Sequence, residues 1–225
     1  MRDHSRLVAF ILVAAAFAMS AIAFPHLPAR IPTHWDISGH ANGFSGRMVG
    51  AFLMPAIMVA TWVLLIVIPR YDRLLFIKYK DRGTDSSTVQ PIYSVIVVAV
   101  LAMLLAIHIF AITSALGLVG PSRQPVLIAA IASLGCIVIG NYMPRVTRRN
   151  AFVGFRVPWA YASEEVWRRT QRAGGYGMVA GGMIGLVGAF ALPSAPLKPF
   201  IVATIAQIVV VMIYSYRIAH SSEIP

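Results

Sequence analysis

The sequence is poor in charge and in cysteine. Asp, Glu, Lys and Arg make up only 12% of its 225 residues, against roughly a quarter in soluble domains, which excludes an ordinary soluble globular protein. Cys136 is the single cysteine, so neither an internal disulfide nor a cysteine-based metal site is available. The chain also lacks the Gly-x-Ser-x-Gly, His-Glu-x-x-His and Gly-rich phosphate-loop motifs of common enzyme classes.

Long apolar runs are what the sequence has instead. Several stretches contain no Asp, Glu, Lys or Arg and approach the roughly 20 residues that a helix needs to cross a bilayer. They are Leu7–Phe24, Met48–Ile68, Ile92–Ile112, Val126–Met143, Tyr176–Leu192 and Phe200–Tyr216. Because these runs are continuous rather than alternating, they indicate helices and not barrel strands. The predicted fold class is all-α, an integral membrane bundle of six transmembrane helices.

The basic residues indicate how the chain is oriented. There are 19 Lys and Arg against 8 Asp and Glu, a formal net charge of +11. With the N-terminus inside, 15 basic residues fall on the cytoplasmic side and 4 outside. This positive-inside pattern predicts an N-in/C-in topology. Most of the positive net charge is therefore explained by the orientation of the chain in the lipid bilayer. No direct nucleic-acid partner is predicted.

The spans divide the chain into three parts. Residues 1–69 are predicted to form a two-helix hairpin with an ordered extracytoplasmic loop at 25–47. Residues 70–90 form a cytoplasmic linker, and residues 91–225 form a four-helix membrane domain whose cytoplasmic loop is 144–175. Residues 1–23 also fit a cleaved signal peptide, but the apolar run of about 17 residues exceeds the roughly 7–15 of a secretory segment and favours a retained helix.

The outer loop 25–47 carries three prolines and the tight-turn pair Asn42-Gly43, which predict a compact hairpin or cap. It also contains imidazole and carboxylate groups that could hold a metal or act in catalysis, namely His26, His34, Asp36 and His40. Their spacing matches no established metal site, so we predict no metal. The alternative is that Trp35 and Phe44 anchor the loop at the headgroup level.

The inner loop 144–175 combines basic and aromatic residues. Ser163 followed by Glu164 and Glu165 predicts a helix start, and Gly174-Gly175 a helix stop, which together give a short interfacial helix. Arg156 is the single basic residue of the stretch Gly154–Trp159, beside the aromatic Phe155 and close to the helix breaker Pro158, and it is a candidate for binding a phosphate, a carboxylate or a protein surface. Ordinary positive-inside placement is the alternative.

Within the spans, small and polar residues stand out. Gly177, Gly181 and Gly185 are spaced by four, which predicts close packing against a neighbouring helix or a second subunit of a homo-oligomer. His108 and Gln207 are polar groups at depth, and each is either functional or a helix-to-helix hydrogen bond.

Two motifs resemble a known family. Gly140-Asn141-Tyr142-Met143-Pro144, Asn150, Gly154-Phe155-Arg156-Val157-Pro158-Trp159 and Ser163–Thr170 are similar to the signature of the bacterial SdpI family of membrane proteins. The outer segment with Leu27-Pro28, Ile31–Trp35, Gly39, Gly43 and Gly46-Arg47 resembles the N-terminal domain of uncharacterised function that often precedes it. The sequence departs from the family at Val157 and Ala160, and at Gln171, where a histidine is common. Gln171 can hydrogen-bond but cannot titrate.

The resemblance implies a multi-pass protein of the bacterial inner membrane that acts in immunity. Best-known relatives give resistance to a secreted membrane-active toxin peptide, and in one system also hold a transcriptional repressor at the membrane. Residues that could bind a ligand or partner are then His34, Trp35, Asp36, Asn141, Asn150, Gly154, Arg156, Pro158, Trp159, Glu165 and Trp167. No enzyme activity, cofactor or catalytic residue is expected. The alternatives are a small-solute or lipid transporter, or a membrane enzyme that uses the His34, Asp36 and His40 loop.

Overall fold

The computed structural model describes residues 3–36, 38–79, 90–147, 149–150 and 153–221. Its helices are α1 (Asp3–Ala23), α2 (Arg47–Tyr79), α3 (Gln90–Ala115), α4 (Gln124–Tyr142), α5 (Glu164–Ala191) and α6 (Lys198–Ala219). Its strands are β1 (Arg30–Trp35) and β2 (Ala41–Gly46).

The helices have the length and composition of membrane spans. Among the described residues, six helices are apolar and long enough to cross a bilayer. The prediction of a mostly helical chain with six helices of membrane-spanning length and composition is therefore confirmed. The expectation of an all-α chain is wrong at one place, because β1 and β2 form a small antiparallel pair between α1 and α2.

The helices pack as two groups of three. α1, α2 and α3 surround a core that includes Ala9, Met58 and Leu101. α5 lies between α4 and α6, and α3 contacts α4 to join the groups. Since successive helices run in opposite directions, the β1–β2 pair and the loop at 144–175 lie at opposite ends of the bundle. We call these ends the hairpin side and the motif-loop side.

Part of the predicted linker at 70–90 is helical. α2 continues to Tyr79 and α3 begins at Gln90, so helix includes residues 70–79, and residues 80–89 lie outside the described part of the chain.

The start of α5 confirms the predicted cap, but its course corrects the predicted stop. The Ser163 hydroxyl accepts a hydrogen bond from the Val166 amide at 3.1 Å, with Glu164 and Glu165 in the first turn. The helix then runs through Gly174-Gly175 to Ala191 as one element. There is no separate interfacial helix in this described segment, because both glycines are buried by tertiary packing that supports a continuous helix.

The strand pair turns at a different place from the one predicted. Asn42 and Gly43 lie inside β2, and Gly43 pairs with His34. The reversal lies at 36–40, where the Asp36 carboxylate accepts hydrogen bonds from the Ser38 and His40 amides at 2.8 and 3.0 Å. Gly39 completes it with a φ of 79°. An aspartate that binds its own downstream amides and a glycine at positive φ together define this turn.

Candidate functional site

The motif loop, residues 144–163, is held against the helix ends from several directions. Trp167 of α5 is fully buried and donates from Nε1 to the Val146 carbonyl at 2.9 Å. Its ring lies 5.1 Å from that of Tyr161 and packs with Met143 and Ala160. The motif loop therefore packs around Trp167. To bind a partner, as predicted, the Trp167 side chain would have to move out of this buried position.

Gln171, one helical turn further along α5, binds the middle of the loop. Its side-chain Oε1 accepts from the Phe155 amide at 2.8 Å, and its Nε2 donates to the Phe155 carbonyl at 3.1 Å. The amide side chain is fully buried, so it satisfies both backbone groups of Phe155 where water is excluded. The residue that departs from the family pattern is thus a central contact of the loop.

Gly154 makes this approach possible. Its φ is 125°, and a Cβ atom at this position would overlap the Gln171 amide. Both the backbone conformation and the close contact favour glycine here. The Phe155 ring lies directly over Gly174 of α5, which leaves no room for a side chain there either.

Asn150 and Trp159 fix two further parts of the motif loop by hydrogen bonds. Buried Asn150 accepts from the Val153 amide through Oδ1 at 2.7 Å, and its carbonyl accepts from the Tyr161 hydroxyl at 2.9 Å. Trp159 donates from Nε1 to the Ser215 hydroxyl of α6 at 2.6 Å. The rings of Trp159 and Tyr216 meet edge-on at 5.5 Å. The loop therefore bridges α4, α5 and α6.

Arg156 and Pro158 are exposed on this fixed loop. They lie on either side of Val157, between the Phe155 contact with α5 and the Trp159 contact with α6, so their positions are set by half-buried neighbours that are hydrogen-bonded to these helices. Asn141 is also exposed, and no side-chain hydrogen bond found among the described residues involves it. The predicted hydrogen bond from Asn141 to the following loop is not among these contacts, whereas Asn150 makes its bonds within the loop itself.

The first turns of α5 carry several ion pairs. Glu165 pairs with Arg168 and, at 2.6 Å, with Arg169. Glu164 pairs with Arg149 at 3.0 Å, and Arg149 also donates to the Tyr161 carbonyl at 3.0 Å. Glu165, predicted as a partner-binding residue, is thus engaged with arginines of its own helix.

On the hairpin side, Trp35 joins the strand pair to the helices. It donates from Nε1 to Gln124 at 2.9 Å, in the first turn of α4, and its ring lies 5.1 Å from Phe110 of α3. His34 is exposed and contacts Asn42 through Nδ1 at 2.5 Å. Asp36 caps the turn. No group of three His, Cys, Asp or Glu is arranged to hold a metal within the described ranges.

The predicted glycine stripe of α5 faces α6. Gly177, Gly181 and Gly185 lie next to Gln207, Ala203 and Phe200 respectively. Sequence spacing missed a second set of close contacts with α4, made by Gly175 against Gly140 and by Gly182 against Ser133. α5 is therefore tightly packed on both sides.

His108 lies in a three-helix hydrogen-bond network. Its Nε2 is 2.9 Å from the Ser20 hydroxyl and 3.2 Å from the Ala16 carbonyl. Because the Ser20 hydroxyl donates its proton to the Ala51 carbonyl at 2.7 Å, Nε2 is the protonated nitrogen of His108. Nδ1 has no hydrogen-bond partner among the described residues. The contacts favour the helix-to-helix reading of His108 over a transport role.

Comparison with known proteins identifies the segment that contains the motif loop. Residues 146–216 match the model of the SdpI/YfhL protein family. We call residues 146–216 the SdpI segment because of this match. Residues 11–59 match a domain of unknown function, DUF1648. The resemblance to the SdpI family and to the N-terminal domain that precedes it is confirmed.

The immunity protein SdpI of Bacillus subtilis (strain 168) is 22% identical to this chain over 211 residues, which cover 94% of each protein. No solved structure matches at a significant level.

The limits of the SdpI segment coincide with the loop contacts. The segment begins at Val146, whose carbonyl accepts a hydrogen bond from Trp167, and ends at Tyr216, whose ring meets that of Trp159 edge-on. The DUF1648 match contains the strand pair, but Gln124, which binds Trp35, lies beyond it. Tyr161 and Ser215 were missed as site residues. A serine in the apolar α6 was the available signal for Ser215.

Proposed function

We propose that this chain is a multi-pass protein of the bacterial cytoplasmic membrane that protects the cell against a secreted membrane-active toxin peptide, and that it also signals to a cytoplasmic repressor. The observation that carries the proposal is the likeness to the immunity protein SdpI, which extends over 94% of both chains. Because the match covers nearly the whole of two proteins of similar length, it supports a shared overall architecture.

The proposed orientation places both termini and the motif loop in the cytoplasm and the strand pair outside. It is supported by the 15 basic residues on one side against 4 on the other. The outer strand pair could then meet an external peptide, and the inner loop a cytoplasmic protein.

α4 offers a physical route between the two sides. Trp35 binds Gln124 in the first turn of α4, and Gly140 in its last turn packs on Gly175, next to the motif loop. A toxin peptide that binds the hairpin near His34, Trp35 and Asp36 would shift α4 if it binds one arrangement of this helix more tightly than another. The exposure of Arg156 would change with it.

The test is survival of Bacillus subtilis cells that lack their own immunity protein SdpI and meet the toxin peptide against which it protects. Expression of this chain should raise survival. Trp35→Ala should reduce that protection, because it removes the link between hairpin and α4. Phe44→Ala is the matched control, since Phe44 is an aromatic residue of the same hairpin that is 50% exposed.

Equal killing with and without the chain, at matched amounts in the membrane, would contradict the immunity proposal. The same cells test signalling: the repressor should move to the membrane fraction when the chain is present, and Arg156→Gln should return it to the soluble fraction. A repressor that is equally soluble in all cells would contradict that part.

A further inference from the structure

A cleft on the motif-loop side is separate from the Trp167, Gln171 and Trp159 contacts, although Thr147 of the motif loop lines part of it. It has a volume of about 730 Å³ and opens between α5 and the end of α6. Its charged and aromatic lining consists of Glu165, Arg168, Arg169, Arg172, Tyr176 and Tyr214. Five of these residues follow one another on α5 at spacings of one, three or four, which place them on one stripe of the helix.

The charge of the cleft is positive. Three guanidinium groups face one carboxylate, and that carboxylate is engaged by Arg168 and Arg169. No hydrogen bond or ion pair joins Arg172 to another described residue. The side chains of Arg168 and Arg169 are 54% and 48% exposed, so their remaining donors are open to an outside acceptor. The cleft therefore suits an anion of at least one full negative charge.

The level of the cleft relative to the membrane indicates which class of anion could bind there. Tyr176 and Tyr214 are 64% and 38% exposed and lie in helices of membrane-spanning composition, and tyrosines in such helices concentrate at the headgroup level. Further along α5, exposed Met183, Ile184 and Val187 present an apolar surface suited to acyl chains. An anion in the cleft would thus sit where lipid headgroups sit.

We propose that this cleft binds the phosphate of an anionic phospholipid headgroup. Arginine forks match the oxygen geometry of a phosphate, and the tyrosine hydroxyls can add hydrogen bonds. The acyl chains would extend along the exposed apolar face of α5. A zwitterionic headgroup fits less well, because its cationic group would face the net positive lining. The proposal does not rest on toxin immunity.

The test uses the full chain in detergent micelles, with binding of phosphatidylglycerol measured by native mass spectrometry. The variant Arg168→Gln with Arg172→Gln removes two cations of the cleft and leaves Glu165 paired with Arg169. The control, Arg145→Gln with Arg217→Gln, removes two cations from the same side outside the cleft lining. The cleft variant should bind about tenfold more weakly, and the control within about threefold of the parent chain.

Each alternative has its own outcome. Equal weakening in both variants would show diffuse surface charge and overturn the proposal. Phosphatidylcholine bound as tightly as phosphatidylglycerol would overturn the anionic requirement. Glycerol phosphate bound as tightly as the lipid would show a site for a soluble phosphate instead. If the double variant does not fold, Arg172→Lys keeps the charge but loses the planar fork, and unchanged lipid binding would then contradict the proposal.

Discussion

Gln171 shows how a single residue can decide the shape of the motif loop. Buried on α5, it binds both backbone groups of Phe155, and its amide occupies the space that a side chain at residue 154 would need. An amide can donate and accept at once without carrying charge. In this chain the loop is therefore held by a group that does not titrate, where a histidine would make the contact depend on pH.

Gly154→Ala should destabilise the protein by about 1–3 kcal/mol, because alanine disfavours a φ of 125° and its Cβ would displace the Gln171 amide. Thermal unfolding in detergent, followed by tryptophan fluorescence, measures the change.

Gly120→Ala is the matched control for that substitution. Gly120 has φ −62° and ψ 148°, and a Cβ there would meet no atom within 4 Å. We expect a change within about 0.5 kcal/mol. A Gly154→Ala protein as stable as the parent would contradict the close packing of the loop on Gln171.

Among the helices, α5 makes most of the contacts that hold the SdpI segment together. It packs against α4 and α6 at the same time and supplies Trp167 and Gln171 to the motif loop. Its glycines are not equivalent, however. A Cβ on Gly182 would lie 2.7 Å from the Ser133 carbonyl of α4, whereas one on Gly181 would lie 3.7 Å from its nearest neighbours on Ala203.

Gly182→Ala should therefore destabilise the bundle by about 1–3 kcal/mol through overpacking against backbone. Gly181→Ala, the adjacent control, should be neutral or slightly stabilising because alanine favours helix over glycine. The measurement is the thermal midpoint of each purified variant in the same detergent. If both variants unfold like the parent chain, the α4–α5 contact is looser than described.

Some helices and turns of the fold could be predicted from the sequence, and others could not. The spans were predictable because the bilayer demands long apolar helices, and Ser163 was predictable as a cap because capping is local. The turn at Asp36–His40 was mislocated because Asn42-Gly43 carries an equally strong local signal. The continuation of α5 through Gly174-Gly175 depends on packing against Phe155 and Pro144, which spacing alone does not reveal.

The candidate site was predictable in part for the same reason. The motif residues of 154–167 could be named from the family resemblance, but their individual roles could not. The bond between Trp159 and Ser215 joins residues 56 positions apart, and only the fold brings them together. Asn141 and Asn150 have the same chemistry, yet one is exposed and the other buried.

At the scale of the whole molecule, two ordered surfaces lie at opposite ends of one helical body. The strand pair is fixed to α3 and α4 through Trp35, and the motif loop is fixed to α5 and α6 through Gln171, Trp167 and Trp159. A protein that senses an external peptide and reports inside requires these two surfaces to face different compartments. This separation is the central claim of the proposed function.

Labelling of single cysteines in intact cells tests that claim most directly. In a Cys136→Ser background, Ser38→Cys lies at the exposed turn of the strand pair and Ala162→Cys lies exposed in the motif loop. With a membrane-impermeant maleimide, the cysteine at 38 should react in intact cells, and the cysteine at 162 should react only after the cells are permeabilised. Reaction of both positions in intact cells, or the reverse pattern, would contradict the proposed separation of the two surfaces across the membrane.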